Sequence, residues 1–152
     1  MIKKISFVYD LTDEYRTVGI CSHLKDYKLC WNLNKVLNYN LIRFDDFVPE
    51  GKKTTDERYT FFYFYDQNHR NGVYLLSNKK NNIPLLEKIP EADYLLMIKG
   101  VCTEKKTKEL ISGIKKISNV LTVFQVEMDK IKTINSFLTE LELHQLYQEK
   151  KK

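Results

Sequence analysis

One pattern occurs twice in this chain: an apolar run, a cysteine, a hydroxyl residue, a basic amphipathic stretch and a second apolar run. The first copy passes from Thr17 through Val18-Gly19-Ile20-Cys21-Ser22, continues to Asn38 and closes on the apolar run from Leu41 to Val48. The second passes from Tyr94 through Lys99-Gly100-Val101-Cys102-Thr103, continues to Ile117 and closes on the run from Val120 to Val126. Short β-favouring runs on either side of a stretch with helical periodicity make a strand-helix-strand unit. Two such units restrict the chain to an α+β domain with pseudo-twofold symmetry.

The rest of the chain supplies further strands. Residues 3–8 and 16–21 read as short strands about a polar turn and together suit a hairpin. Over residues 23–38, Leu24, Tyr27, Cys30, Trp31, Leu33 and Leu37 recur at helical spacing, Lys25, Lys28, Asn32 and Lys35 form the opposite stripe, and Ser22 is placed as the N-cap. Residues 41–47 make a strand. In Tyr59-Thr60-Phe61-Phe62-Tyr63-Phe64-Tyr65 every position favours β structure and both faces are apolar, which suits a central strand, with residues 73–76 as its hairpin partner. Pro84 and Pro90 bracket an irregular connection to a strand over 94–99. Thr103 then caps a helix with Leu110, Ile111, Ile114 and Ile117 inward and Gly113 interrupting it. A third helix over 131–147 carries Ile134, Phe137, Leu138, Leu141 and Leu143.

These strands are too closely spaced for further crossovers, so the expected fold is a mainly antiparallel sheet with helices on one face. Two split βαβ units give it a ferredoxin-like core, with an extra N-terminal strand and a C-terminal helix. In that arrangement the strands opening at Arg16 and Tyr94 lie side by side and parallel, which brings Cys21-Ser22 and Cys102-Thr103 to one rim of the sheet. Residues 1–148 form one domain and 149–152 a basic tail. A chain of 152 residues buries about two thirds of its unfolded surface without disulfide or metal.

The segment Val18-Gly19-Ile20-Cys21-Ser22-His23-Leu24-Lys25-Asp26-Tyr27-Lys28-Leu29-Cys30-Trp31-Asn32-Leu33-Asn34-Lys35 resembles the bacterial family labelled IPExxDY. The likeness continues at Leu75-Leu76-Ser77-Asn78-Lys79 and at Asp93-Tyr94-Leu95-Leu96-Met97-Ile98-Lys99. Ile89-Pro90-Glu91 is followed by one residue, Ala92, before Asp93-Tyr94, where the family name has two. The resemblance implies an intracellular bacterial protein and transfers no catalytic or binding residue.

Composition excludes several classes. Apolar residues at 43% and charged residues at 30% place the chain away from disordered and membrane proteins. No run approaches the ~20 apolar residues of a membrane span, and the first residues are too short and polar for a signal peptide, so a cytoplasmic protein without membrane contact is expected. Cys21, Cys30 and Cys102 match neither a redox nor a zinc spacing and read as reduced, small hydrophobes. No metal and no cofactor is expected.

Three candidate sites remain. Ser22, His23 and Thr103 would gather two helix amino termini around an anion, phosphate or carboxylate; the commoner role of Ser22 and Thr103 is to cap their helices. Lys25, Lys28 and Lys35, with Lys105, Lys106, Lys108, Lys115 and Lys116 on the second helix, would form a positive face for RNA, although a solvated basic side is ordinary on a surface helix. Cys21 beside His23 at a helix start, with Cys102, is the last candidate, for small-molecule chemistry, but lacks an oriented third group. His23, His69 and His144 share no metal-ligand spacing, and no catalytic residue is assigned. The leading expectation is therefore a non-catalytic binding or regulatory module, a homo-oligomer with a protein or small-molecule partner. An accessory RNA-binding protein is the alternative, and an enzyme near Cys21 and Cys102 stands third.

Overall fold

The structure, a computed structural model, describes residues 11–50, 57–80 and 82–151. In chain order it contains a 3-10 turn Leu11–Glu14, β1 Tyr15–Ser22, α1 Asp26–Leu37, β2 Ile42–Phe47, β3 Tyr59–Asp66 and β4 Asn71–Ser77. There follow the two-residue strands β5 Lys79–Lys80 and β6 Ile83–Pro84, then β7 Tyr94–Lys99, α2 Glu104–Lys115, β8 Val120–Val126, a 3-10 turn Met128–Lys130 and α3 Ile134–Lys150. The strand expected over residues 3–8 lies outside the described residues. β1 is flanked by β7 and β8.

Six strands form one sheet in the order β2-β3-β4-β7-β1-β8, and every pairing is antiparallel. Both strand-helix-strand units exist. α2 joins β7 to β8, which run in the same direction on either side of β1. α1 joins β1 to β2, also co-directional, with β7, β4 and β3 between them. β1 and β7 are neighbours as expected, but Tyr15 faces Lys99 and Ile20 faces Tyr94, so they run antiparallel. A ferredoxin-like core needs this pair parallel. The cause is parity: β2, β3, β4 and β7 alternate in direction across successive antiparallel pairings, so β7 must oppose β2 and therefore β1.

The helices occupy both faces. α1 and α2 lie together over one, where Leu29, Leu33, Leu110 and Ile114 pack on Val18, Ile20, Val73, Leu75, Leu96 and Ile98. Gly113 lies where they meet, and a Cβ there would make an ordinary contact, 3.4 Å, with the Leu37 side chain. α3 covers the opposite face with Ile134, Phe137, Leu138 and Leu141 against Phe47, Tyr59, Phe61, Tyr74 and Met97. The expectation of helices on one face is corrected here. Central strands β3, β4 and β7 alternate apolar residues to both sides, Leu95 and Met97 one way and Leu96 and Ile98 the other, and both sides need cover.

The connection between β6 and β7 is fixed by Asn78, which is 0% exposed. Its Nδ2 donates to the carbonyls of Ile89 (2.8 Å) and Ala92 (2.9 Å), and its Oδ1 accepts from the Leu86 amide (2.9 Å). Ile89 and Ala92 are thereby buried under α3's face of the sheet. Asp93 extends the brace: its carboxylate accepts from the Ser22 amide at 2.9 Å and lies 3.4 Å from Lys79 Nζ.

Candidate functional site: a basic cleft at the start of α1

β3, β4 and β7 end beside the first turn of α1. Ser77 faces Tyr94 across β4 and β7, and the Ser77 hydroxyl accepts from the Thr60 amide at 2.9 Å, so these three residues line up across the sheet. Tyr94 Oη donates to the Leu24 carbonyl at 2.6 Å, tying the approach to α1 onto the sheet. Burial, with Asp26 and Asp93 adding to it, pushes the Tyr94 phenol up to about 12. Between helix and sheet lies a cleft of about 350 Å³ lined by Lys25, Asp26, Arg43, Asp46, Arg58, Thr60, Ser77, Lys79, Lys80 and Tyr94.

Five cations thus face two carboxylates. Arg43 lies 3.7 Å from Asp26 and 3.1 Å from Asp46, and Arg58 lies 3.7 Å from Asp46. Among the described residues Lys25 and Lys80 have no ion-pair partner. α1 begins without a side-chain cap from Lys25, and its amide dipoles add to the positive field. Thr60 Oγ1 is the one buried side-chain nitrogen or oxygen among the described residues that lacks a hydrogen bond. An unpaired buried hydroxyl costs about 1–3 kcal/mol. The cleft therefore offers donors and positive charge, while its two carboxylates are held by arginines.

The expected anion site is dispersed. Ser22 belongs to β1: its hydroxyl donates to the Asn119 carbonyl (2.8 Å) and accepts from the Leu24 amide (3.1 Å). α1 starts at Asp26, so Ser22 is not its N-cap. Thr103 does cap α2, accepting from the Lys106 amide at 3.1 Å, but at the other end of the sheet, where Arg16 Nε donates to the Cys102 carbonyl at 3.1 Å. His23 is exposed and adjoins Ser22, far from Thr103. The antiparallel β1–β7 pair is the reason, and it separates Cys21 from Cys102 in the same way. Cys21 Sγ donates to the Glu91 carbonyl at 2.9 Å, and burial followed by Asp93 raises its pKa, which keeps the thiol protonated. Cys102 is buried against Thr107.

Of the lysines proposed for RNA, Lys25 lines the cleft, and Lys28 and Lys35 are exposed along α1. Tyr27 and Trp31, expected in the core, are 57% and 62% exposed, and Lys35 Nζ lies 5.0 Å from the Trp31 ring centroid. Sequence reasoning missed Arg43, Arg58, Thr60, Ser77, Lys79 and Lys80, which come from three separate stretches and share no local motif. Lys79-Lys80 directly after a strand was the sole local signal.

Tyrosines mark the opposite end of the sheet. Tyr15 donates to Glu142, which also pairs with Lys99 (3.1 Å), and Tyr74 donates to Gln145 at 2.8 Å. Burial raises the pKa of Tyr15 and Tyr74 and pushes Tyr63 up to about 12. These bonds tie α3 to β1, β4 and β7. Among the described residues no group of His, Cys, Asp or Glu is arranged to hold a metal ion, and no helix is long and apolar enough to cross a membrane.

The class these observations define is an α+β domain with a six-stranded antiparallel sheet and three helices. No family model and no curated protein matches the chain.

Proposed function

We propose that this chain is a non-catalytic binding module whose ligand carries a phosphate or carboxylate group held in the cleft at the start of α1. The observation that carries this reading is the convergence of Lys25, Arg43, Arg58, Lys79 and Lys80 around a buried Thr60 hydroxyl without a partner. Anionic oxygens there gain charge-assisted hydrogen bonds, roughly twice as strong as neutral ones. No activated nucleophile accompanies these donors among the described residues, which favours binding over turnover. Calorimetric titration with pyrophosphate tests the reading. A saturable one-to-one isotherm is expected, weakened about tenfold, or 1.4 kcal/mol, by Lys80→Glu; the absence of heat, or a Lys80→Glu isotherm equal to that of the unchanged protein, would refute it.

A second reading, binding of single-stranded RNA, is favoured by the exposed Tyr27 and Trp31 on the helix that carries Lys25, Lys28 and Lys35. Bases would stack on the rings and phosphates would meet the lysines. RNA binding predicts an affinity that collapses in Trp31→Ala and a salt slope that grows with the length of the strand bound, whereas the cleft ligand predicts neither. The IPExxDY resemblance, carried by Ser77-Asn78-Lys79 and Asp93-Tyr94, supports a bacterial, cytoplasmic setting. In this structure those residues frame the cleft and brace the chain beside it.

A further inference from the structure

The cleft at the start of α1 holds acceptors as well as cations. Asp26 and Asp46 both line it, with side chains 21% and 26% exposed. Each commits one carboxylate oxygen: Asp26 Oδ1 accepts from the Tyr27 amide at 2.7 Å, and Asp46 Oδ1 accepts from Arg43 Nη2 at 3.1 Å. The second oxygen of each meets an arginine nitrogen only at 3.7 Å, Asp26 Oδ2 that of Arg43 and Asp46 Oδ2 that of Arg58, which is longer than a hydrogen bond. Tyr94 donates to the Leu24 carbonyl, so its phenol oxygen keeps a lone pair. These acceptors call for donors. A metal ion or an ammonium group suits them poorly, because the Arg43 guanidinium already stands 3.7 Å from one carboxylate and 3.1 Å from the other and repels further positive charge. A neutral hydroxyl supplies a proton without a charge.

We propose that the ligand of this cleft is a phosphorylated sugar, its phosphate held by Lys25 and Lys80 and its hydroxyls donating to Asp26 and Asp46. The proposal rests on the reading of the cleft as an anion site and narrows it. Lys25 and Lys80 are the cleft cations without an ion-pair partner among the described residues, and the Thr60 hydroxyl, buried and without a hydrogen bond, is a further polar group for the ligand to meet. At about 350 Å³ the cleft stands at the small end of ligand sites, which span roughly 300 to 1,000 Å³, a size for one ring and one phosphate. Tyr94, the sole ring among the described residues that line it, is 8% exposed, so a purine or pyrimidine finds no face to stack on. Hydroxyl-to-carboxylate hydrogen bonds are charge-assisted and therefore strong, and an alkyl phosphate of the same chain length forgoes them.

Calorimetric titration of the full chain tests this, and its first comparison needs no variant. Ribose 5-phosphate or glucose 6-phosphate is expected to bind about tenfold more tightly than n-pentyl phosphate, which carries the same phosphate on a chain without hydroxyls. Asp46→Ala, checked as folded by circular dichroism, should bring the sugar phosphate down to the level of pentyl phosphate and leave pyrophosphate as tight or tighter, because a negative charge has left the cleft. Pyrophosphate separates the two ways of failing. If it does not bind, the anion site and the sugar assignment fall together. If it binds, the sugar assignment alone is overturned by any of three results: both sugar phosphates no tighter than pentyl phosphate, a folded Asp46→Ala that weakens sugar phosphate and pyrophosphate alike, or adenosine 5′-monophosphate tighter than ribose 5-phosphate.

Discussion

Asn78→Ala removes the side chain that holds the β6–β7 connection, and its cost follows from the bonds lost. Three hydrogen bonds disappear, to Ile89, Ala92 and Leu86, all at a fully buried position. At about 1 kcal/mol net for each, the loss is about 3 kcal/mol, and the cavity and the stranded Ala92 carbonyl and Leu86 amide add to it. For a chain of this length such a change lowers Tm by roughly 6–12 °C. Asn32→Ala is the control, since Asn32 makes one exposed bond to the Lys28 carbonyl, and surface changes of that kind stay within about 0.5 kcal/mol. Urea unfolding followed by circular dichroism reads both. An Asn78→Ala midpoint equal to that of Asn32→Ala, at equal slope, would refute the claim that this amide organises the connection.

Thr60→Val should raise the stability of the free protein by about 1 kcal/mol, by removing a buried hydroxyl that lacks a partner, and should weaken pyrophosphate severalfold; thermal melts with and without pyrophosphate measure both. Burial raises the phenols of Tyr15 and Tyr74 and pushes Tyr63 and Tyr94 up to about 12, against an ordinary 10.0. Their contribution to stability is present below pH 10.0 and is lost as pH rises through the folded-state values, so phenolate absorbance should lag that of the urea-unfolded chain and catch up in the step where circular dichroism is lost. His144 is shifted the other way: burial lowers its pKa from 6.5, against the Asp45 carbonyl, which raises it. Its contribution is complete above pH 6.5 and is lost as pH falls through the lowered value, so the stability difference between the protein and His144→Gln should shrink on acidification, read from urea midpoints.

Much of the fold was legible because periodicity is a local property. The doubled strand-helix-strand units, the aromatic strand β3 and the caps at Thr103 all follow from neighbours within a few residues. Strand direction is not local. The hairpin of β3 and β4 was visible, yet its effect on the sense of β7 appears only when every strand between β2 and β1 is counted. That one inversion dispersed Ser22 and Thr103 and parted Cys21 from Cys102. The side of the sheet taken by α3 was implied by β3, whose Phe61 and Phe62 are both buried on opposite faces, but the choice of helix to cover each face belongs to packing. Tyr27 and Trp31 fit an apolar stripe by spacing, and yet α1 buries only Leu29, Cys30 and Leu33 and leaves both rings in solvent. The basic cleft was illegible except at Lys25, because its cations are gathered by the ladder β2-β3-β4 and the first turn of α1.

Amide proton–nitrogen spectra recorded during titration with pyrophosphate test the central claim most directly. The cleft predicts saturable shifts at Asp26, Tyr27 and Lys28, at Thr60 and Ser77, and at Lys79 and Lys80, with β8 unmoved. Shifts that do not saturate, or that map instead to the lysines of α2, would contradict it.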